Sequence, residues 1–166
     1  VPTDPSDAIG RWGDGTFKVL YTSLQVAVTR AEMAFHLGRA QPVKVSKAIY
    51  YVHKIFVDLE FVLDISRPED MATLGVDTRN YGELAYGQHE NEYPSCQVVA
   101  RTAFDLQRDG LQIGGLLVPS ARYTRGVNLV IFYGADSKPI GARSKVEIVE
   151  SLGPVQWTDA ELRPRT

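Results

Sequence analysis

Cysteine and metal-binding patterns are scarce in this sequence. Cys96 is the single cysteine among 166 residues, so no disulfide can form within the chain and no multi-thiolate metal centre can be built. This composition suits a reducing compartment. We interpret Cys96, which stands near the start of a predicted helix, as a small buried residue rather than a reactive thiol. The three histidines have no metal-ligand spacing, and we expect no bound metal.

Excess positive charge and long apolar runs are also lacking. Lysine and arginine number 18 against 20 acidic residues, which gives a formal net charge of -2 and no basic tract. We therefore expect no nucleic-acid partner. No stretch approaches the roughly 20 apolar residues of a membrane helix, and no charged-then-apolar leader opens the chain. The sequence therefore predicts a soluble protein without a membrane partner.

Several catalytic motifs are missing as well. The sequence has no P-loop, no dinucleotide fingerprint, no H-E-x-x-H and no G-x-S-x-G elbow. Glu90 and Glu92 form an E-x-E pair of the type that some ADP-ribosyltransferases use, with His89 beside it, but no predicted strand end carries the pair. We interpret the pair as non-catalytic. No two carboxylates suggest the acid and base of ordinary glycoside hydrolysis, so a reaction that needs one carboxylate fits best.

The residues that are present concentrate polar chemistry near the N-terminus. Arg11 and Trp12 lie in a glycine-broken turn, and the alternating residues 17–22 predict a strand that carries Tyr21. Apolar residues three and four apart then predict a helix, and Glu32 borders its apolar face. Two plainer interpretations stay open: a glycine-rich surface turn, and a boundary glutamate that pairs with a surface cation.

The remainder of the chain predicts further strands and helices around this group. Residues 43–66 read as two strands of a sheet interior, and Ser120 and Arg122 follow a buried strand over residues 111–118. Apolar spacing predicts helices over residues 24–35 and 94–108, with buried faces formed by Leu24, Val28, Ala31 and Phe35 and by Cys96, Val99, Ala103 and Leu106. A short helix near Pro68 and strands over residues 128–133 and 145–149 complete the prediction. Residues 1–9 are predicted to be a lead-in or linker and residues 10–166 one domain.

Cleavage of the nicotinamide–ribose bond of NAD is a reaction that one carboxylate can support, because the departing pyridinium leaves as neutral nicotinamide. The carboxylate would bind ribose hydroxyls and offset the charge of an oxocarbenium-like transition state. An arginine would fork onto the pyrophosphate. An aromatic face would hold the cationic ring, contributing about 0.5–2 kcal/mol.

The motifs GRW at 10–12, LYTS at 20–23, the helical Glu32 and the later run YPSCQVVARTAFDLQRDGLQIGGLLVPSAR followed by NLVIF resemble the RES domain. That family is named for an arginine, a glutamate and a serine, which here would be Arg11, Glu32 and Ser120, with Tyr21 as the associated aromatic residue. The resemblance implies an α+β fold like that of ADP-ribosyltransferases, with mixed or antiparallel sheets and flanking helices. It also implies a bacterial toxin that degrades NAD.

For individual residues the resemblance implies Arg11 and Glu32 as catalytic groups, Tyr21 against nicotinamide and Ser120 as a pocket hydroxyl. Trp12 and Arg122 are further candidates for lining the cleft. NAD would be the substrate and no cofactor would be needed. The implied partners are an antitoxin or immunity protein that blocks the pocket, and further copies of the chain.

Two other functions remain open on the sequence. The same pocket could serve a protein ADP-ribosyltransferase, or a non-catalytic module that holds a nucleotide or a protein. The absence of a second acidic residue to activate an acceptor favours water, and thus hydrolysis. A chromosomal toxin and a delivered effector domain are equally compatible with the residues.

Overall fold

The computed structural model describes residues 4–39, 49–76, 78, 81, 94–108 and 111–157. The helices and strands in chain order are β1 (Lys18–Ser23), α1 (Val26–Arg39), β2 (Tyr51–Asp58), β3 (Val62–Asp64), α2 (Pro68–Thr73), α3 (Pro94–Asp105), β4 (Gln107–Arg108), β5 (Leu111–Gln112), β6 (Gly115–Pro119), β7 (Val127–Tyr133) and β8 (Lys145–Pro154). None of the helices in these ranges is long and apolar enough to cross a lipid bilayer.

A four-stranded sheet with the order β1-β7-β6-β3 organises the fold. β7 pairs antiparallel with both β1 and β6, whereas β3 pairs parallel with β6, so the sheet is mixed. With helices beside it, this sheet confirms the predicted α+β class. β7 is the most buried of the described strands, and NLVIFY at 128–133 predicts a strand because aromatic and β-branched residues pack well on a pleated surface.

The two faces of this sheet form two separate apolar clusters. Phe132 belongs to the first cluster, where it meets Phe17 edge to face at 5.4 Å and Phe104 at 5.9 Å between ring centroids. The second cluster contains Leu129, Ile131 and Tyr133, which alternate with the first set along β7. This alternation follows from the two-residue period of a strand. The candidate site lies on the same face as the first cluster.

The prediction that residues 43–66 form a sheet interior is wrong for the part that the structure describes. β2 pairs with β8 in a separate two-stranded sheet, and Tyr51 and Phe56 are 54% and 48% exposed. Only alternate residues of β2 reach the second cluster, as Ile55 and Val57 do. A high content of β-branched and aromatic residues predicts a strand, but it does not show how many faces of the strand are covered. Residues 43–48 lie outside the described residues.

Both longer helices exist where apolar spacing predicts them, but their buried faces differ from the prediction. In α1 the buried residues among those described are Val28, Ala34 and Leu37, and Leu24 precedes the helix and is exposed. In α3 they are Cys96, Ala100 and Ala103. Small residues let α3 approach the sheet closely, whereas Leu106 lies beyond the last helical residue and is half exposed.

The predicted strand over residues 111–118 is divided into β5 and β6. Gly115 begins β6, and a Cβ atom on it would lie 2.5 Å from the carbonyl oxygen of Val130 on the adjacent strand. Glycine therefore permits the close approach of β6 to β7. The lead-in also contacts the sheet, since Ser6 and Val19 exchange two backbone hydrogen bonds of 2.8 Å. The division between residues 9 and 10 stays a prediction.

Candidate active site

A cavity of about 330 Å³ lies between α1, the ends of β1, β6 and β7, and the N-terminal turn. The cationic Arg11 of the N-terminal turn and the anionic Glu32 of α1 both line this cavity. Its lining residues are Ser6, Ala8, Gly10, Arg11, Trp12, Tyr21, Glu32, His36, Tyr81, Val118, Ala121, Arg122 and Asn128. The volume falls at the lower end of the roughly 300–1,000 Å³ typical of ligand pockets.

Glu32 projects from α1 and is held through one carboxylate oxygen. Its Oε1 accepts hydrogen bonds from the hydroxyl of Ser120 at 2.7 Å, the side-chain amide of Asn128 at 2.9 Å and the backbone N–H of Ala121 at 3.2 Å. Bonds to an ionised acceptor are stronger than bonds between neutral groups. In these contacts the partners of Glu32 are therefore donors on β7 and on the turn after β6, and none of them is a surface cation.

Ser120 stands at the start of a tight turn after β6. Its Oγ accepts the backbone N–H groups of Arg122 at 3.1 Å and Tyr123 at 3.0 Å, and its hydroxyl proton goes to Glu32. The backbone N–H of Ser120 in turn donates to the carbonyl of Gly126 at 2.8 Å. The structure thus directs the Ser120 hydroxyl at the carboxylate, and Ser120 is not among the residues that line the cavity.

Asn128 is a residue of this group that the sequence reasoning missed. It was recognised as part of a strand, but its spacing to Glu32 in the sequence, 96 residues, carries no signal of contact. Its amide oxygen accepts the hydroxyl of Ser23 at 2.7 Å. The pairing of β1 with β7 brings Ser23 opposite Asn128, so the topology alone creates this contact.

Arg11 is packed against Tyr81, another residue that sequence reasoning missed. Its guanidinium lies over the Tyr81 ring at 4.1 Å from the centroid and donates to the Tyr81 carbonyl oxygen. The Tyr81 hydroxyl donates to the carbonyl of Pro119 at 2.9 Å. Burial raises the pKa of this hydroxyl to about 12, so it stays protonated at neutral pH. The aperiodic stretch around Tyr81 gave no sign that an aromatic residue there would reach the site.

Tyr21 and Trp12 are joined by a hydrogen bond in which the backbone N–H of Trp12 donates to the Tyr21 hydroxyl oxygen at 2.9 Å. Trp12 is 1% exposed and belongs to the first apolar cluster, whereas Tyr21 is 46% exposed. Trp12 therefore serves as a core residue that also forms one wall of the cavity. Tyr21 offers an accessible ring beside it.

Arg122 and His36 complete the lining on the α1 side. The Arg122 guanidinium lies 3.1 Å from the centre of the Phe35 ring. Phe35 belongs to α1, the helix that also carries Glu32. His36, one of the three histidines, is exposed and borders the cavity. Within the described residues no group of three or more metal-binding side chains occurs. His89, Glu90 and Glu92 lie outside the described residues.

Cys96 is buried, in agreement with its interpretation as a small core residue. Burial raises the pKa of its thiol from 9.0 to about 11, and the nearby Arg11 opposes this rise. A thiol with a raised pKa holds little thiolate at neutral pH and is a poor nucleophile.

This shift predicts a loss of stability in alkali. An unfolded thiol loses its proton near pH 9 and the folded one near pH 11, so the contribution of Cys96 is complete below pH 9 and is lost as the pH rises to 11. Urea unfolding at several pH values should show that the free energy of unfolding falls by about 2 kcal/mol more in the wild type than in Cys96→Ala. If the free energy of unfolding falls equally with pH in the wild type and in Cys96→Ala, this effect of Cys96 is contradicted.

The fold and the site define an α+β protein in which a carboxylate, a guanidinium and tyrosine rings surround one cavity. The family model described as RES domain matches residues 3–157, and the chain belongs to the RES domain family. No curated protein and no solved structure matches the chain significantly. Membership of this family supports an NAD-related toxin function in general terms.

Proposed function

We propose that the protein is a bacterial toxin domain that hydrolyses NAD to nicotinamide and ADP-ribose. The observation that carries the proposal is that Arg11 and Glu32 line the same small cavity, although one lies in a turn and the other on a helix. A dinucleotide carries a pyrophosphate and a cationic nicotinamide ribose. These two groups match a guanidinium and a carboxylate facing one space.

Glu32 would stabilise the transition state. As the bond between ribose and nicotinamide breaks, its electron pair leaves with nicotinamide and positive charge builds on the ribose. A carboxylate fixed in place beforehand offsets this charge without reorganising during the reaction. Water then adds to the ribose carbon and releases a proton to the solvent, which gives ADP-ribose.

Arg11 and the tyrosines would bind the two ends of the substrate. The guanidinium of Arg11 is held by the Tyr81 ring and carbonyl, and this support would present it to the pyrophosphate with little loss of side-chain entropy. The half-exposed Tyr21 would stack on nicotinamide. Trp12 and Arg122 would line the same space, and Ser120 would act through Glu32, to which it donates.

Arg11→Lys should raise KM for NAD roughly 10- to 100-fold with a smaller effect on kcat, because lysine cannot fork onto a pyrophosphate. Steady-state hydrolysis measured over a range of NAD concentrations tests this expectation. The matched control is Arg67→Lys, since the exposed Arg67 pairs with Asp70 at 2.7 Å beside α2 and does not line the cavity. An unchanged KM in Arg11→Lys would contradict the role of Arg11 in binding the pyrophosphate.

A protein ADP-ribosyltransferase would use the same cavity with a protein as acceptor. Incubation with NAD that carries a label on the adenine separates the two activities. Hydrolysis predicts labelled ADP-ribose in solution with purified protein alone. Label that accumulates on a protein faster than free ADP-ribose appears would favour the transferase, and tight binding of NAD without turnover would favour a non-catalytic module.

The family resemblance supports the remaining parts of the proposal. The toxin would act in the bacterial cytoplasm, either made there or delivered as an effector. An antitoxin or immunity protein would block the cavity, and NAD would be consumed as a substrate with no further cofactor. Copies of the chain would associate with one another. Expression of the domain without its antitoxin should then lower cellular NAD before growth stops.

A further inference from the structure

Asn128 connects the central sheet to the carboxylate of Glu32. Its backbone is paired on both sides, opposite Ser23 in β1 and Val118 in β6. Its amide nitrogen donates to Glu32 Oε1 at 2.9 Å, and its amide oxygen accepts from the Ser23 hydroxyl at 2.7 Å. Because the oxygen is turned toward Ser23, the NH₂ group is turned toward Glu32.

We propose that Asn128 is a positioning residue for NAD cleavage, which holds Oε1 of Glu32 so that the other carboxylate oxygen meets the ribose. The inference deepens the proposed function and rests on it. Ser23 acts one step further out, since it fixes the orientation of the Asn128 amide.

The direction of the hydrogen bonds supports this assignment. Oε1 receives donors from two separate elements: Ser120 and Ala121 belong to the turn after β6, and Asn128 belongs to β7. Three donors on one oxygen occupy its lone pairs and restrain rotation of the carboxylate. A carboxylate held through one oxygen presents the other in a fixed direction, which a transition-state contact requires.

The hydrogen bonds from Glu32 to Asn128 and from Asn128 to Ser23 lead away from the cavity, so the contribution of Ser23 can be tested without changing the cavity lining. Ser23 does not line the cavity, but its hydroxyl donates to the side-chain amide of Asn128, which does line it. Thr22 offers a matched contact, because its hydroxyl donates to the Leu129 carbonyl at 2.9 Å between the same two strands without reaching Asn128 or Glu32. Loss of the Ser23 hydroxyl should therefore matter more than loss of the Thr22 hydroxyl.

Charge at position 128 is the sharpest probe. Asn128→Asp keeps the size of the side chain but replaces a donor with a second negative charge beside Oε1. Among the described residues that line the cavity Glu32 is the one carboxylate, and the other charged or titratable groups that line it are Arg11, Tyr21, His36, Tyr81 and Arg122. Like charges at hydrogen-bond distance disfavour ionisation of both, so the acidic limb of activity should move to higher pH.

The experiment measures kcat, KM and the pH profile of NAD hydrolysis for Asn128→Asp, Asn128→Ala, Ser23→Ala and Thr22→Val. At neutral pH we expect kcat to fall roughly 100-fold in Asn128→Asp and roughly tenfold in Asn128→Ala and Ser23→Ala, with KM nearly unchanged. The acidic limb of the pH profile should move to higher pH by about one unit or more in Asn128→Asp and in none of the other variants. Thr22→Val should behave like the wild type.

A second readout keeps the inference separate from the proposed function. The side-chain NH₂ signal of Asn128 can be followed by ¹⁵N NMR without NAD, and it should shift in Ser23→Ala and in Glu32→Gln and stay in place in Thr22→Val. If the wild type leaves NAD intact, the proposed function fails, and this signal still tests the contacts. An NH₂ signal that Glu32→Gln does not move, or an unchanged kcat in folded Asn128→Asp, would overturn the positioning role.

Discussion

Glu32→Gln should lower kcat for NAD hydrolysis roughly 100- to 1000-fold while the protein stays folded. Glutamine keeps the shape of the side chain and can still accept from Ser120, Asn128 and Ala121 through its amide oxygen. It removes the negative charge that would offset the developing charge on the ribose. Nicotinamide release by chromatography measures kcat, and thermal unfolding shows whether the fold is retained.

A conservative surface change provides the control for this prediction. Glu69→Gln alters a carboxylate in the first turn of α2, away from the cavity lining, and should leave kcat unchanged. If Glu32→Gln hydrolyses NAD at the wild-type rate, the carboxylate has no catalytic role. Loss of activity together with loss of the thermal transition would instead indicate a structural role for Glu32.

Phe132→Ala should lower the free energy of unfolding by about 3–5 kcal/mol. Phe132 is 0% exposed on the central strand, and its ring meets Phe17 and Phe104, so truncation leaves a cavity that the sheet cannot close. This is a large share of the roughly 5–15 kcal/mol of a whole domain. Urea unfolding monitored by circular dichroism measures the change.

The matched control is Phe56→Ala on β2. Phe56 is also a strand phenylalanine but is 48% exposed, so its truncation should cost less than about 1 kcal/mol. Similar losses for the two variants would mean that the two-stranded sheet of β2 and β8 is packed more completely than its exposure indicates. Phe132→Ala with wild-type stability would contradict the assignment of the main core to this face.

Local sequence patterns predicted the elements well because each depends on nearby residues. The β-branched and aromatic residues of NLVIFY predicted β7, and apolar spacing predicted α1 and α3 within a few residues. The covered faces of these elements depend on partners far along the chain. That is why β2 was placed in a sheet interior, and why Leu24 and Leu106 were assigned to buried faces.

The candidate site likewise contains residues that the sequence could group and residues that only the fold brings together. The turn, strand and helix that carry Arg11, Tyr21 and Glu32 follow one another closely, so the sequence could group them. Asn128 and Tyr81 join them through the pairing of β1 with β7 and through the packing of a distant segment against Arg11. No pattern within a short window indicates such contacts, because strand order is a property of the whole chain.

The most direct test of the account is the product mixture formed when purified protein is incubated with NAD. We expect equal amounts of nicotinamide and ADP-ribose, formed by the wild type and nearly absent with Glu32→Gln. Unchanged NAD after prolonged incubation at several pH values would contradict it. So would a mixture of AMP and nicotinamide mononucleotide, because that result would mean that the pyrophosphate and not the ribose bond is cleaved.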